Sequence, residues 1–236
     1  MKAQKRRRVK RPIRTLLRKA VEGTIFKQYN ERIDRFNWNA RLVQTQKDFS
    51  SVPIFETRPE LYAHVNQAWV GDGKVPIDYL EFGVFEGASL GRWCELNKHP
   101  ESRFFGFDSF EGLPETWMRG WEKGTFNTNG KTPDIHDSRV QFVKGWFQDS
   151  LPPFLASYAP KNRQVVHSDS DLYSSTLYCL TTLNTLLSPG TIILFDDFYD
   201  PIHEYRALND YASAYRRNFR ILAATDRFYQ VAIELQ

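Results

Sequence analysis

Two cysteines and two methionines are the only sulfur-bearing residues among 236. Cys94 and Cys179 lie far apart, each in an apolar pattern at helical spacing. They cannot form a disulfide framework or a cysteine metal site, and they read as reduced core residues of a cytoplasmic protein. No apolar run approaches the roughly 18–20 residues that cross a bilayer. The basic start is not followed by an apolar stretch, so no signal peptide is expected. Acidic residues are missing from residues 1–20, which hold ten Lys or Arg. Without those ten, 22 of the 32 basic residues remain against 28 acidic ones, so a net charge of +4 becomes −6. The basicity belongs to a tail and not to the body.

Aromatic residues, in contrast, make up 15% of the chain, enough for a substantial core in one α/β domain plus an extension. Residues 1–50 read as a basic N-terminal extension and 51–236 as the domain. Within the extension, Ile13, Leu16, Leu17, Ala20 and Val21 form an apolar stripe opposite Arg14, Arg18 and Lys19, a basic amphipathic helix. Such a helix suits docking on an anionic membrane surface, with the protein peripheral at the inner face. It could equally pack on its own domain with a solvated charged face. Nucleic-acid binding is disfavoured, because the tail lacks interleaved aromatics and the body is acidic. Residues 24–58 show no clear period and read as helix and loop. Pro59–Val70 reads as a helix with Thr57 as its cap.

The organising stretch is YLEFGVFEGASL, Tyr79 to Leu90. An apolar strand ends at Glu81 and Gly83, Gly87 follows, and a helical pattern begins. Strand, glycine turn and helix open a doubly wound sheet, where ligands bind beyond the strands' carboxyl ends. The dinucleotide pattern G-x-G-x-x-G is absent: Phe85 stands at its middle glycine and Ala88 at its last. Glu86 would oppose a phosphate. A ligand without phosphate fits better, and S-adenosylmethionine, with an amino-acid head and a sulfonium cation, suits an acidic, close-packed loop.

A second strand, Phe104–Phe107, ends at Asp108, 25 residues after Gly83. An acid there can accept from both vicinal hydroxyls of a ribose, or it can serve as a turn or helix cap. Ser109 to Arg139 holds no convincing helix but carries Trp117, Trp121 and Phe126, and it reads as a cover over the active site that could stack on a sugar or a flat acceptor. A third strand, Val140–Lys144, runs into the turn Gly145–Gln148. Asp149 or Ser150 is expected to cap the next helix, with Pro152 in its first turn.

A fourth strand, Gln164–His167, precedes Asp169 and Asp171, and the helix Tyr173–Leu187 follows. A fifth strand, Thr191–Phe195, precedes Asp196 and Asp197. If these two strands are neighbours, about 4.8 Å apart, the acids converge. Like charges so close raise one another's pKa, and a hard divalent cation such as Mg²⁺ resolves the conflict. Asp169, Asp196 and Asp197 are the expected ligands, with Asp169 also placed as a base and Asp171 capping the helix after Leu172. The alternative is that these acids only cap helices and hydrate a cleft. His167 and His203 read as structural, and Glu204 and Arg206 as residues that could line the pocket.

With LEFGVFEGASL, FGFDSFEGLPE, VKGWFQDSLP, DSDLYSSTLYCL and SPGTIILFDDF in order from about Phe49 onward, the chain resembles class I S-adenosylmethionine-dependent methyltransferases of the macrocin O-methyltransferase-like (TylF-type) family. The resemblance implies an α/β, Rossmann-like fold: a seven-stranded, mostly parallel sheet with an antiparallel last strand, helices on both faces and an N-terminal helical extension. It implies S-adenosylmethionine held by Glu81, Gly83, Gly87, Ser89, Asp108, Ser109, Gly145, Trp146 and Phe147, with Asp169 adjoining. It places Mg²⁺ on Asp169, Asp196 and Asp197, and makes the methyl acceptor a sugar hydroxyl. Two other readings stand beside it: a cofactor- or glycan-binding module docked by its tail, and an RNA methyltransferase. The oligomeric state stays open, a homo-oligomer included.

Overall fold

The computed structural model describes residues 26–49 and 51–236. The basic helix expected from Ile13 lies outside the described residues. The chain divides into two units between Gln44 and Thr45. Helix α1, Phe26–Phe49, spans 24 residues where a mixture of helix and loop was expected. No described helix is long and apolar enough to cross a membrane.

The second unit is built on an eight-stranded sheet. Its strands are β1 (Ile54–Phe55), β2 (Ile77–Phe82), β3 (Arg103–Asp108), β4 (Val140–Lys144), β5 (Arg163–Ser168), β6 (Ile192–Phe195), β7 (Phe219–Thr225) and β8 (Val231–Leu235). Their order is β1-β7-β8-β6-β5-β2-β3-β4. All pairings are parallel except those of β8, which runs antiparallel to β6 and β7. Seven strands match the expected sheet, and the eighth is β1, a two-residue edge strand beside β7 that is too short for a period to register. The helices are α2 (Arg58–Val65), α3 (Ala88–Leu96), α4 (Phe147–Ser157), α5 (Tyr173–Leu183) and α6 (Glu204–Tyr215).

Every residue of β2 is buried, as expected of a central strand covered on both faces. Tyr79, Trp93, Phe104, Val165, Ile192 and Leu61 belong to one core cluster around it. Tyr79 stacks on Trp93 with ring centroids 5.3 Å apart. Both cysteines are buried free thiols, and burial pushes Cys94 up to about 12, which removes its nucleophilic form at neutral pH.

Helix α2 starts at a capping box. The Thr57 side chain accepts from the Glu60 amide, and Glu60 accepts from the Thr57 amide at 3.0 Å. The helix continues as a π-helical turn, Asn66–Val70. Two other expected caps differ. Helix α4 begins at Phe147, three residues or more before either expected cap would start it, so Pro152 lies inside it and neither Asp149 nor Ser150 caps it; the Ser150 hydroxyl instead donates to the Trp146 carbonyl at 3.0 Å. Asp171 does not cap α5 either. It sits in the left-handed region at φ 58°, and the first-turn amide of Tyr173 donates to His203 Nδ1 at 3.2 Å.

The chain runs outward from β2 through β3 to β4, then returns to β5 on the other side of β2. The C-terminal ends of β2 and β5 therefore flank the point where the winding reverses, the position at which open α/β sheets bind ligands.

Candidate active site

Sheet register brings the acids together. Phe82 pairs with Ser168, and Ser168 with Phe195. The ladder extends one residue past the strands: the Asp169 amide donates to the Phe82 carbonyl at 2.9 Å and the Asp196 amide to the Ser168 carbonyl at 3.0 Å. Gly83, Asp169 and Asp196 thus lie side by side on the rim. A Cβ on Gly83 would stand 1.7 Å from the Asp169 carbonyl oxygen, at a φ of 91°, so only glycine fits.

Above this rim lies a cavity of about 1050 Å³. Of the expected cofactor residues, Gly83, Ser89, Asp108, Ser109, Gly145, Trp146, Phe147 and Asp169 line it. Glu81 does not. It is fully buried beneath the floor, accepting from Ser89 Oγ at 2.8 Å and from the Tyr79 hydroxyl at 2.5 Å. Gly87 is the N-cap of α3 in the left-handed region and is likewise not part of the lining. Asp108 is largely engaged by the backbone: the amides of Val84 and Phe85 donate to Oδ2 at 2.8 and 2.9 Å, and that of Phe110 to Oδ1 at 2.7 Å. These bonds hold the turn in which Phe85, at φ 50°, occupies a conformation that glycine usually supplies.

The four rim acids fall into two overlapping groups whose ligand atoms lie within 4.8 Å of one another: Asp169, Asp171 and Asp197, and His167, Asp169 and Asp196. Asp169 is common to both. Burial and the charge of Asp196 push its carboxyl well above the usual carboxylate range. Burial and Asp169 raise Asp171 to about 8; burial and Asp171 raise Asp197 to about 9. Asp196 moves the other way. Burial opposes its charge, but hydrogen bonding and attraction to His167, together with Arg58, hold it below the ordinary value. Arg58 Nη1 donates to Asp196 Oδ2 at 2.8 Å and stands 3.9 Å from Asp169 Oδ2.

Beneath the rim, His167 is wholly buried. Burial works against its charge, yet Asp196 and Glu81 raise it to about 10. The Tyr79 hydroxyl lies 2.8 Å from Nδ1 and donates to Glu81; the Tyr62 hydroxyl lies 3.3 Å from Nε2 and donates to Asp196 Oδ1 at 3.3 Å. An imidazolium donating through each tyrosine to a carboxylate satisfies all five groups.

Residues 109–139 form the cover, with two isolated bridges, Glu111–Asn127 and Met118–Trp121, as their regular pairings. Trp117, Trp121, Lys123 and Phe126 line the cavity. Trp121 stacks on Phe126 at 5.1 Å, and Phe126 meets the edge of Phe85 at 5.4 Å. Ser174 donates to Glu115 at 2.7 Å and ties the cover to α5.

Arg58 and Tyr62 were not legible beside the site, whereas His167, read as structural, is buried beneath the rim. Tyr62 sits in an ordinary apolar helix pattern, and 138 residues separate Arg58 from its partner. Glu204, expected at the pocket, is buried behind it, accepting from Ser168 Oγ and the Asp197 amide at 2.8 and 2.9 Å. Arg206 lies over the Tyr173 ring and not in the lining.

A family model described as Macrocin-O-methyltransferase (TylF) matches residues 7–226. A curated protein of Streptomyces olivaceus, 8-demethyl-8-(2,3-dimethoxy-alpha-L-rhamnosyl)-tetracenomycin-C 4'-O-methyltransferase, is 34% identical over 58% of this chain and 60% of its own length. The chain thus spans under two thirds of that relative. Among solved structures, the O-methyltransferase NovP aligns with a TM-score of 0.58 at 24% identity, covering 75% of this chain and 78% of its own. The calicheamicin methyltransferase CalS11 aligns at 0.57 and 21%, covering 87% and 92%. These two likenesses establish the Rossmann-like methyltransferase fold.

Proposed function

Because the chain belongs to the macrocin-O-methyltransferase (TylF) family, we propose that it transfers a methyl group from S-adenosylmethionine to a hydroxyl of a sugar or of a glycan or natural-product precursor. The observation that carries this reading is Asp169. Its backbone closes on Gly83, its carboxylate faces the cavity, and its proton affinity is raised well above that of an ordinary acid. In its ionised form, a carboxylate so placed is a stronger base toward an acceptor hydroxyl than a solvated one.

The cavity suits the donor. Glycine at position 83 leaves the rim bare, Ser89, Asp108 and Ser109 offer polar contacts, and Trp146 and Phe147 offer flat surfaces on the side where an adenine ring would lie. S-adenosylmethionine would supply a methyl group activated on a sulfonium. The protein's part is to aim the acceptor oxygen at that carbon and keep water out, and such positioning supplies much of the acceleration in a bimolecular transfer. Trp117, Trp121 and Phe126 give the acceptor an apolar wall, which the C–H face of a pyranose can cover.

The donor set also fits a hard divalent cation. It consists of carboxylates crowded enough to raise one another's proton affinity. Asp169, Asp196 and Asp197 are the proposed ligands; Asp169 and Asp197 already cluster with Asp171, and Asp196, clustered with Asp169 and His167, would have to join them. Such an ion, when bound, would lower the pKa of an acceptor hydroxyl.

The test is calorimetry with S-adenosylmethionine, with and without Mg²⁺, followed by a screen of nucleotide-sugar and glycoside acceptors. Asp169→Asn should lose turnover by about a hundredfold or more, well beyond any loss of donor affinity seen by calorimetry. Undiminished turnover in that variant would refute the assignment.

A further inference from the structure

Resting on the cation reading above, we propose that Arg58 is a tethered positive charge standing in for the metal ion, which the ion must displace from Asp196 in order to bind. Three observations carry this. First, the base of the side chain is fixed. Arg58 opens α2 behind the Thr57–Glu60 capping box, with Pro59 next to it. Second, α2 grips one carboxylate by both oxygens. Arg58 Nη1 donates to Asp196 Oδ2 at 2.8 Å, and Tyr62, one turn along the same face, donates to Oδ1 at 3.3 Å. Third, the guanidinium also lies 3.9 Å from Asp169 Oδ2, between acids contributed by two strands.

This accounts for the split of the acid cluster. Asp169, Asp171 and Asp197 form one group, whereas Asp196 joins Asp169 only in a second group that includes His167, on the side where α2 holds it. A divalent ion shared by Asp169 and Asp196 would lie a few ångströms from a like charge, so the guanidinium and the ion exclude each other. Arg58 has room to leave. Its side chain is 44% exposed and lines the cavity, so release from Asp196 turns its donors toward whatever occupies the acceptor space.

The experiment is a calorimetric titration with Mg²⁺ in the absence of methyl donor. It compares the unaltered protein with Arg58→Met (similar in reach, uncharged), Arg58→Lys (charge kept), Asp196→Asn and the double variant Arg58→Met/Asp196→Asn, each checked for folding by circular dichroism. Arg58→Met should tighten Mg²⁺ by about tenfold or more. Arg58→Lys should tighten it much less, and the gain should vanish in the double variant. If the unaltered protein binds Mg²⁺ but Arg58→Met binds no more tightly, or if Lys and Met gain equally, the competition is refuted and the cation site survives. If neither the unaltered protein nor Arg58→Met takes up Mg²⁺ at millimolar concentration, both fail.

Discussion

Raising the pH should destabilise the metal-free protein, and a divalent cation should reverse the loss. Four groups near the rim set the direction. Asp171, Asp197 and Glu204 rise from ordinary carboxylate values to about 8, 9 and 8, chiefly through burial, and His167 rises to about 10 through Asp196 and Glu81 against the effect of burial. In each, the folded state holds its proton more tightly than the unfolded chain. The stabilisation is therefore complete below the unfolded pKa, about 4 for the acids and 6.5 for the imidazole, and is lost as pH climbs through 8 to 10. Asp137, held low by Arg139, and Asp196, held low by His167 and Arg58 against the effect of burial, work the other way and lose their contribution only as pH falls through their depressed values. The metal-free melting temperature should thus peak between about pH 4 and 6 and decline toward pH 9. A cation must expel the protons of the acids it binds, so its affinity should weaken as pH falls, by up to about tenfold per pH unit for each proton displaced. At a concentration about a hundred times its Kd, the ion contributes about 2.7 kcal/mol. In a domain of this size that corresponds to an upward shift of about 5–10 °C. Differential scanning calorimetry with and without Mg²⁺, at about pH 5 and about pH 8, measures it. A Mg²⁺ shift equal at both values, or larger at the lower, would sink the reasoning, because it would place the ion away from the proton-holding acids.

Gly83→Ala should cost about 3–5 kcal/mol, combining a left-handed φ with a methyl driven into the Asp169 carbonyl. A melting temperature within about 2 °C of the unaltered protein would contradict that crowding. Trp121→Ala should weaken acceptor binding several-fold, seen as a raised KM with kcat little changed, while calorimetry shows the same affinity for S-adenosylmethionine; an equal loss of donor affinity would place the ring in the wrong subsite. Deleting residues 1–20 removes ten positive charges. It should abolish sedimentation with anionic vesicles and spare turnover on a soluble acceptor, and unchanged vesicle binding would dissociate the tail from any membrane role.

The parts of the fold read most directly from sequence were those whose cause is local. Strands β2 to β6 are short stretches with apolar centres that end in, or are followed at once by, an acid or a glycine, and Val140–Lys144 has the same bounds in the sequence reading and the structure. The pairing of Asp169 and Asp196 on adjacent strand ends followed from assuming that β5 and β6 are neighbours, which they are. What stayed hidden depended on distant partners. Asp171 resembles a helix cap because it precedes Leu172, and only the left-handed φ that swings it toward Asp197 says otherwise. Glu81 marks the strand end as a ligand-facing acid would, yet Ser89 and Tyr79 claim both its oxygens. Arg58 and Tyr62 reach the site only because the two-residue β1 attaches to the far edge beside β7 and launches α2 back over the sheet. No periodicity encodes that path.

Asp108 has a further consequence. Its one carboxylate fastens the glycine turn, through Val84 and Phe85, to the first residues of the cover, through Phe110. A hydroxyl drawing on its remaining lone pair would be held by a group that both walls share. Under the proposed donor reading, a ribose would therefore meet the glycine turn and the cover through the two oxygens of one side chain.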